Sequence, residues 1–309
     1  MTRLRVLIST SSFGLADRAP LERLEEAGLE YQLNPHGRVM TEDEVADLLV
    51  DMDGVIAGTE SLSERVLARA GRLRVISRVG VGVERIDLDA AERRGVQVFT
   101  TPDALTDAVA ELTLGGMLSL LRGIHEMNAG MHAGSWEKHM GRLLRGKTVA
   151  IVGLGRIGRR VAQLLEPFGV RRLACDAEPD YVWAAAHGVV LTTLDDLLSE
   201  ADILTVHASG SECLVGATEL ARLRPEALVV NVARGGLVDE DALYDALVSG
   251  HLAGCYVDVF AREPYQGPLA ELPNALLTPH VGSYAREARA RMESEAVENL
   301  LGALRGSMS

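Results

Sequence analysis

Short apolar runs alternate with amphipathic stretches along most of this chain. Residues 5–10, 54–57, 75–77 and 96–99 read as strands. Between them, 20–27 places Leu21 and Leu24 on one helical face. The stretch 41–50 opens with Thr41 and has Glu44 three residues later, a capping-box signature. Strand–helix alternation at this spacing predicts a parallel sheet covered by helices. A long helix is predicted over 101–121, with Pro102 in its first turn and Val109, Leu112, Leu114, Leu118 and Leu121 as its apolar face. Residues 130–146 are polar and glycine-containing, with Trp136 in their middle, and predict a loop. A second alternating series starts at Thr148 and runs to about His280, and a last helix is predicted over 286–304. The chain shows no internal repeat and no low-complexity tract.

Composition narrows the class. A chain of 309 residues fits about two domains. With 47% hydrophobic and 24% charged residues it is neither disordered, collagen-like nor a coiled coil. No run of about 18 apolar residues is present, so no membrane span is expected. The N-terminal run turns polar at once and reads as a first strand instead of a signal peptide, so a cytoplasmic location is expected. A net charge of −13 and a pI near 5.1 argue against sequence-independent nucleic-acid binding. An anionic substrate must then be drawn by local cations against the mean field. Cys175, Cys213 and Cys255 lack C-x-x-C spacing, which predicts a reduced setting and no metal site.

One motif carries chemistry by itself. The apolar run 148–152 leads into Gly153-Leu-Gly155-Arg156-Ile157-Gly158, and a helical pattern with Val161, Leu164 and Leu165 follows. Gly153 permits a tight turn, Gly155 a close backbone approach to a pyrophosphate, and Gly158 close helix–strand packing. The helix N-terminus adds unpaired N–H groups and partial positive charge. Asp176 stands 18 residues after Gly158, where a carboxylate can bond both ribose hydroxyls and repel a 2′-phosphate. NAD(H) is therefore expected over NADP(H), with Arg171 and Arg172 as the residues able to relax that preference.

Five ordered segments resemble the D-isomer-specific 2-hydroxyacid dehydrogenases: 78–82, 153–158, 230–240, 258–264 and 277–283. Within that family, 86–91 and 136–148 are most similar to short-form 3-phosphoglycerate dehydrogenases. The resemblance implies two doubly wound α/β domains with parallel sheets. A Rossmann cofactor domain, about 100–282, would be inserted in a flavodoxin-like substrate domain, 1–99 plus 283–309, with hinges at the two crossings. It implies Arg234 as the group binding the substrate carboxylate and carbonyl oxygen, His280 as the acid/base, and Glu263 as the carboxylate orienting that histidine. The residue types suit those tasks: a guanidinium grips two oxygens in a fork, and imidazole exchanges protons near neutrality. By the same resemblance Gly153, Gly155, Arg156, Ile157, Gly158, Asp176, His207, Ala233 and Asp258 would contact the cofactor. Arg78, Val79 and Gly80 would contact the substrate, with Lys138 or His139 reaching over from the partner of a homodimer.

The expected activity is NAD-dependent interconversion of a small D-2-hydroxy acid and its 2-oxo acid, the D assignment coming from the resemblance alone. Arg78 points to an anionic tail, as in 3-phosphoglycerate or a phosphonate such as phosphonopyruvate. Departures from the family pattern occur at Glu84-Arg85, at Thr100, at Gly58 and in the shortened loop 209–211. They weaken the assignment to 3-phosphoglycerate and leave a general glyoxylate or hydroxypyruvate reductase and a formate- or phosphite-type dehydrogenase as alternatives; an NAD(H)-sensing corepressor-like protein is a further one, since the resemblance includes such members with the same Arg, Glu and His. With the chain ending at 309, feedback through a C-terminal regulatory domain is not expected.

Overall fold

The structure is a computed structural model that describes residues 3–210 and 212–306. Ser211 of the 209–211 loop, like residues 1–2 and 307–309, lies outside the described residues. In chain order the first elements are β1 (Arg5–Ile8), α1 (Ala19–Glu26), β2 (Glu30–Leu33), α2 (Glu42–Leu49), β3 (Gly54–Ala57), α3 (Glu64–Arg69), β4 (Val75–Arg78), α4 (Leu88–Arg93) and β5 (Gln97–Phe99). Next come α5 (Thr106–Arg122), α6 (Ile124–His132), β6 (Thr148–Val152), α7 (Arg156–Leu165), β7 (Arg171–Cys175), α8 (Tyr181–Ala186), β8 (Val190–Leu191), α9 (Leu194–Glu200) and β9 (Ile203–Val206). The chain ends with α10 (Ala217–Arg222), β10 (Ala227–Asn231), α11 (Glu240–Val248), β11 (Leu252–Val257), β12 (Ala275–Leu277) and α12 (Arg286–Gly306). It divides into two compact units, Met1–Leu105 with Ser283–Ser309, and Thr106–Gly282.

In the first unit five parallel strands run in the order β2-β1-β3-β4-β5, the flavodoxin-like order. β3 is buried at all four positions, as a central parallel strand covered on both faces must be. Thr41 and Glu44 form the capping box at α2, each side chain taking the other's backbone N–H. α12 returns to this unit because its apolar stripe fits here. Met292, Ala296, Val297, Leu300 and Leu304 are buried at helical spacing, and Ser77 donates to the Ala296 carbonyl.

Two charged residues interrupt that stripe. Glu293 is fully buried, accepts the Gly14 N–H (2.9 Å) and pairs with Arg289 (2.8 Å), which also donates to Ser12. Burial raises the Glu293 pKa against the opposing Gly14 and Arg289 contacts. Arg289→Ala is expected to cost about 3 kcal/mol, because it leaves a buried carboxylate without its cation. The raised pKa means that acid relieves this loss: Glu293 takes a proton as pH falls and must be ionised as pH rises. Thermal melts at pH 5 and pH 8 check this, with the larger loss at pH 8.

The second unit has seven parallel strands in the order β12-β11-β10-β9-β6-β7-β8. Winding runs outward from β6 to β8 on one side and from β9 to β12 on the other, so the switch point lies between β6 and β9. Two expectations change here. The helix predicted from residue 101 begins at Thr106. Thr101 instead bonds the 78–82 loop, donating its N–H to the Gly80 carbonyl (2.9 Å) and accepting the Gly80 N–H on Oγ1 (2.8 Å). The loop predicted from 130 begins later, because α6 continues to His132 without burying a single residue.

Candidate active site

At the switch point of the second unit, β6 turns through Gly153 at φ +94. A Cβ there would meet Ala208 N at 2.5 Å, so the strand end and the segment after β9 approach as only glycine allows. The His207 N–H closes the same contact on the Val152 carbonyl (2.7 Å). Gly158, in the first turn of α7, is equally constrained: a Cβ would sit 2.0 Å from the Gly153 carbonyl oxygen. Gly155, the N-cap of α7, differs in facing open space, with nothing within 4 Å of a Cβ. Arg156 and Ile157 open α7 behind it.

Asp176 follows β7 directly. It accepts the Leu154 N–H on Oδ2 (2.5 Å) and the Glu178 N–H on Oδ1 (2.9 Å), which fixes it against the glycine loop. Its two oxygens keep lone pairs for further donors. Arg171 and Arg172 lie at the opposite end of the strand, about 13 Å of β7 away. Arg171 pairs with Glu200, and Arg172 donates to the Ala162 carbonyl. Neither is placed to hold a 2′-phosphate beside Asp176. His207 pairs its Nε2 with Thr205 Oγ1 (2.9 Å), while its buried Nδ1 has no partner among the described residues. Burial pushes its pKa down to about 3, so the ring is neutral. An open glycine cradle at a helix N-terminus, a fixed acid and an orphaned ring nitrogen fit a dinucleotide.

The three side chains expected to carry the chemistry follow three neighbouring strands of the same sheet. β10 ends at Asn231, which is 2% exposed. Its side chain donates to the Arg234 carbonyl (3.0 Å) and accepts the Ala233 N–H (3.2 Å), and so folds the turn that carries Arg234. Arg234 in turn donates from Nη1 to the Ala233 carbonyl (2.8 Å). A Cβ on Gly235 would lie 2.0 Å from the Phe260 carbonyl, so this turn packs directly on the segment after β11. That segment carries Glu263, and the Phe260 N–H donates to Glu263 Oε1 (3.1 Å). Glu240 Oε1 accepts the Ala261 N–H (2.6 Å) and ties the segment to α11.

β12 leads to His280, which adopts φ +54, an uncommon conformation for a residue with a Cβ. Its Nδ1 lies 3.0 Å from both Glu263 oxygens. The hydrogen bond to Glu263 is the main cause of a raised His280 pKa; burial opposes it, the Glu263 and Asp258 charges add to it, and the Arg234 charge subtracts. Asp258 departs from the expectation of a cofactor contact. It is fully buried, and its carboxylate accepts the Thr278 hydroxyl, the Val281 N–H and the Gly282 N–H (2.8 Å each for the amides). It presents no surface to a ligand and holds the 278–282 turn instead.

In the first unit the 78–82 loop follows β4. The Val79 N–H donates to the Ala57 carbonyl (3.0 Å), and the Gly80 N–H to Thr101 and the Arg78 carbonyl. The two amides expected to cradle a carboxylate are therefore engaged internally. The Val81 and Gly82 N–H groups have no partner among the described residues. Arg78 donates to the Val79 and Gly82 carbonyls and lies over Gly80. Close by in this unit, Glu60 is 3% exposed and accepts the Ser9 hydroxyl and the Gly58 N–H. Lys138 and His139 are exposed in the loop after α6 of the second unit. Among the described residues there is no cluster of three metal-binding side chains, and no helix is long and apolar enough to cross a membrane.

Asn231, Gly235, Glu240 and Thr278 escaped the sequence reading. Asn231 alone left a trace, as a polar residue ending an otherwise apolar strand.

Residues 114–282 match the family model described as D-isomer specific 2-hydroxyacid dehydrogenase, NAD binding domain. A D-3-phosphoglycerate dehydrogenase of Mycobacterium tuberculosis is 38% identical over 258 residues, covering 82% of this chain and 49% of that protein. A glyoxylate reductase of Thermofilum pendens is 38% identical over 262 residues, covering 81% and 77%. A crystal structure of a Thermus thermophilus protein superposes with a TM-score of 0.91 at 37% identity, over 98% of this chain and 97% of that one. The chain spans about half the length of the curated phosphoglycerate dehydrogenases it matches.

Proposed function

The chain belongs to the D-isomer-specific 2-hydroxyacid dehydrogenase family, and from that premise we propose that it interconverts a small D-2-hydroxy acid and its 2-oxo acid with NAD(H). The observation that carries this reading is the His280–Glu263 pair beside Arg234. Glu263 occupies Nδ1, so the exchangeable proton is the one on Nε2. During reduction Nε2 gives it to the carbonyl oxygen, and during oxidation Nε2 takes it from the 2-hydroxyl. Arg234 grips the carboxylate and polarises the carbonyl. Gly153, Gly155, Gly158 and the start of α7, with Arg156 and Ile157, would hold the pyrophosphate, and Asp176 the ribose hydroxyls. His207 and Ala233 would flank the rest of the cofactor. When bound, the nicotinamide supplies or removes the hydride at C2.

Arg78, with Lys138 or His139 from a partner subunit, is proposed to receive an anionic tail, as in a phosphorylated or phosphonate three-carbon acid. A second reading, a general 2-oxo acid reductase, is favoured by one observation. Gly58 carries no cation beside β3, and its N–H donates to the carboxyl group of the buried Glu60 (3.1 Å). NADH loss at 340 nm with phosphohydroxypyruvate, phosphonopyruvate, hydroxypyruvate, glyoxylate and pyruvate separates the two. A kcat/KM advantage of about 100-fold for an anionic tail, roughly 2.7 kcal/mol, supports the first reading. Equal turnover supports the second, and no turnover of any overturns both in favour of formate, phosphite or a sensing role.

The pH dependence follows from the raised His280 pKa. Reduction needs the imidazolium, so its rate falls as pH rises through that pKa, while oxidation gains. Glu263→Gln removes the largest cause of the shift, and the basic limb of the reductive kcat/KM profile is expected to move to lower pH. An unmoved limb would remove Glu263 from its role.

Trp136 (80% exposed) and Met140 (93%) lie in one surface run and support the proposed homodimer. Sedimentation velocity is expected to give a dimer for the wild type and a monomer for Trp136→Glu/Met140→Glu.

A further inference from the structure

Tyr256 sits within β11 and is 1% exposed, among the largest fully buried side chains. α5 makes room for it by having no side chain at Gly116, where a Cβ would lie 2.1 Å from the tyrosine ring. A hydroxyl brought into such a place needs a partner. It finds Thr278 Oγ1 at 3.0 Å. Thr278 has one hydroxyl proton, and its other contact is Asp258 Oδ1. Asp258 also accepts two backbone N–H groups, a donor set suited to the ionised carboxylate, which can only accept. The Thr278 proton is thus committed to Asp258, and the Tyr256 hydroxyl must donate to Thr278. The order of donation is Tyr256 to Thr278 to Asp258.

This chain ends around His280. Asp258 grips residues 278, 281 and 282, and the His280 N–H bonds the Thr278 carbonyl (3.0 Å). Residue 280 is held at φ +54 between those anchors. We infer that Tyr256 is a positioning residue, which through Thr278 and Asp258 holds the 278–282 turn so that His280 meets Glu263. The charged groups facing His280 are Glu263, Asp258 and Arg234. Hydrogen bonds in series strengthen one another, so loss of the first donor weakens the last grip.

The inference rests on His280 as the acid/base, and the test separates the two. Tyr256→Phe keeps the ring in its socket and removes one oxygen. It is expected to lower kcat about 10-fold, to leave the substrate KM within about 2-fold, and to move the basic limb of the reductive profile to lower pH. Thr278→Val should do the same, and Thr278→Ser, which keeps the hydroxyl, should restore kcat and the limb. A Tyr256→Phe or Thr278→Val protein with lower Tm but wild-type kcat and pH profile overturns the inference. If Tyr256→Phe does not fold, the Thr278→Val and Thr278→Ser pair decides alone, since recovery by serine reads the hydroxyl and not the packing. His280→Gln is measured beside them. Retained turnover there brings down the acid/base reading itself; lost turnover with unaffected Tyr256→Phe and Thr278→Val brings down only the positioning role.

Discussion

His280→Gln is expected to lower kcat by about 10²- to 10⁴-fold, the range for removal of a positioned general acid/base. Glutamine keeps a polar group of similar reach but cannot exchange a proton near neutrality. NADH affinity should remain close to wild type, because the residues proposed to hold the cofactor lie after β6, β7, β9 and β10 while His280 follows β12. Steady-state kcat and an NADH fluorescence titration read the two effects separately. Loss of both together would mean that the 278–282 turn, held by Asp258, had collapsed, and the acid/base role would have no support from this variant.

Arg234→Ala is expected to reduce kcat/KM by about 10²- to 10³-fold, as for loss of a donor to developing oxygen charge. Both KM and kcat should suffer, since the proposed fork touches the carboxylate in the ground state and the carbonyl oxygen as it becomes an alkoxide. Arg234→Lys should recover only part, because an ammonium keeps the charge and loses the two-pronged geometry. The two charge variants also predict opposite pH shifts. Arg234 lowers the His280 pKa, so its removal should move the basic reductive limb to higher pH, where Glu263→Gln moves it to lower pH. Parallel shifts in both variants would contradict the assigned roles.

What could be read from residue order was what repeats in sequence. The apolar strands β3, β4 and β6, the Thr41–Glu44 cap and the glycine motif are local patterns, and the structure contains each of them. β2 was illegible because as an edge strand it has one neighbour and no buried run. α6 was illegible because it buries nothing and leaves no periodicity. The start of α5 was misread because Thr101 is claimed by Gly80, 21 residues earlier, a contact without local trace. Contacts of the same kind take the Val79 and Gly80 amides, the first on Ala57 and the second on Thr101 and Arg78. Sequence names which residues have N–H groups, but only the fold decides which are already taken. Asn231 and Thr278 act on residues near them in the chain, yet their importance depends on strands that meet only after folding.

The socket formed by Gly116 around Tyr256 also decides which of the two positions tolerates change. With any Cβ at 116, a tyrosine at 256 would collide at 2.1 Å, whereas a small residue at 256 facing Gly116 would leave only a void. A void of that size costs about 3–5 kcal/mol, a loss a stable protein can survive. An added methyl at 116 has no such outlet, because it meets three ring atoms of a side chain packed on every side. The pair is therefore asymmetric: Tyr256→Ala empties a space, whereas Gly116→Ala must push a whole ring out of its place.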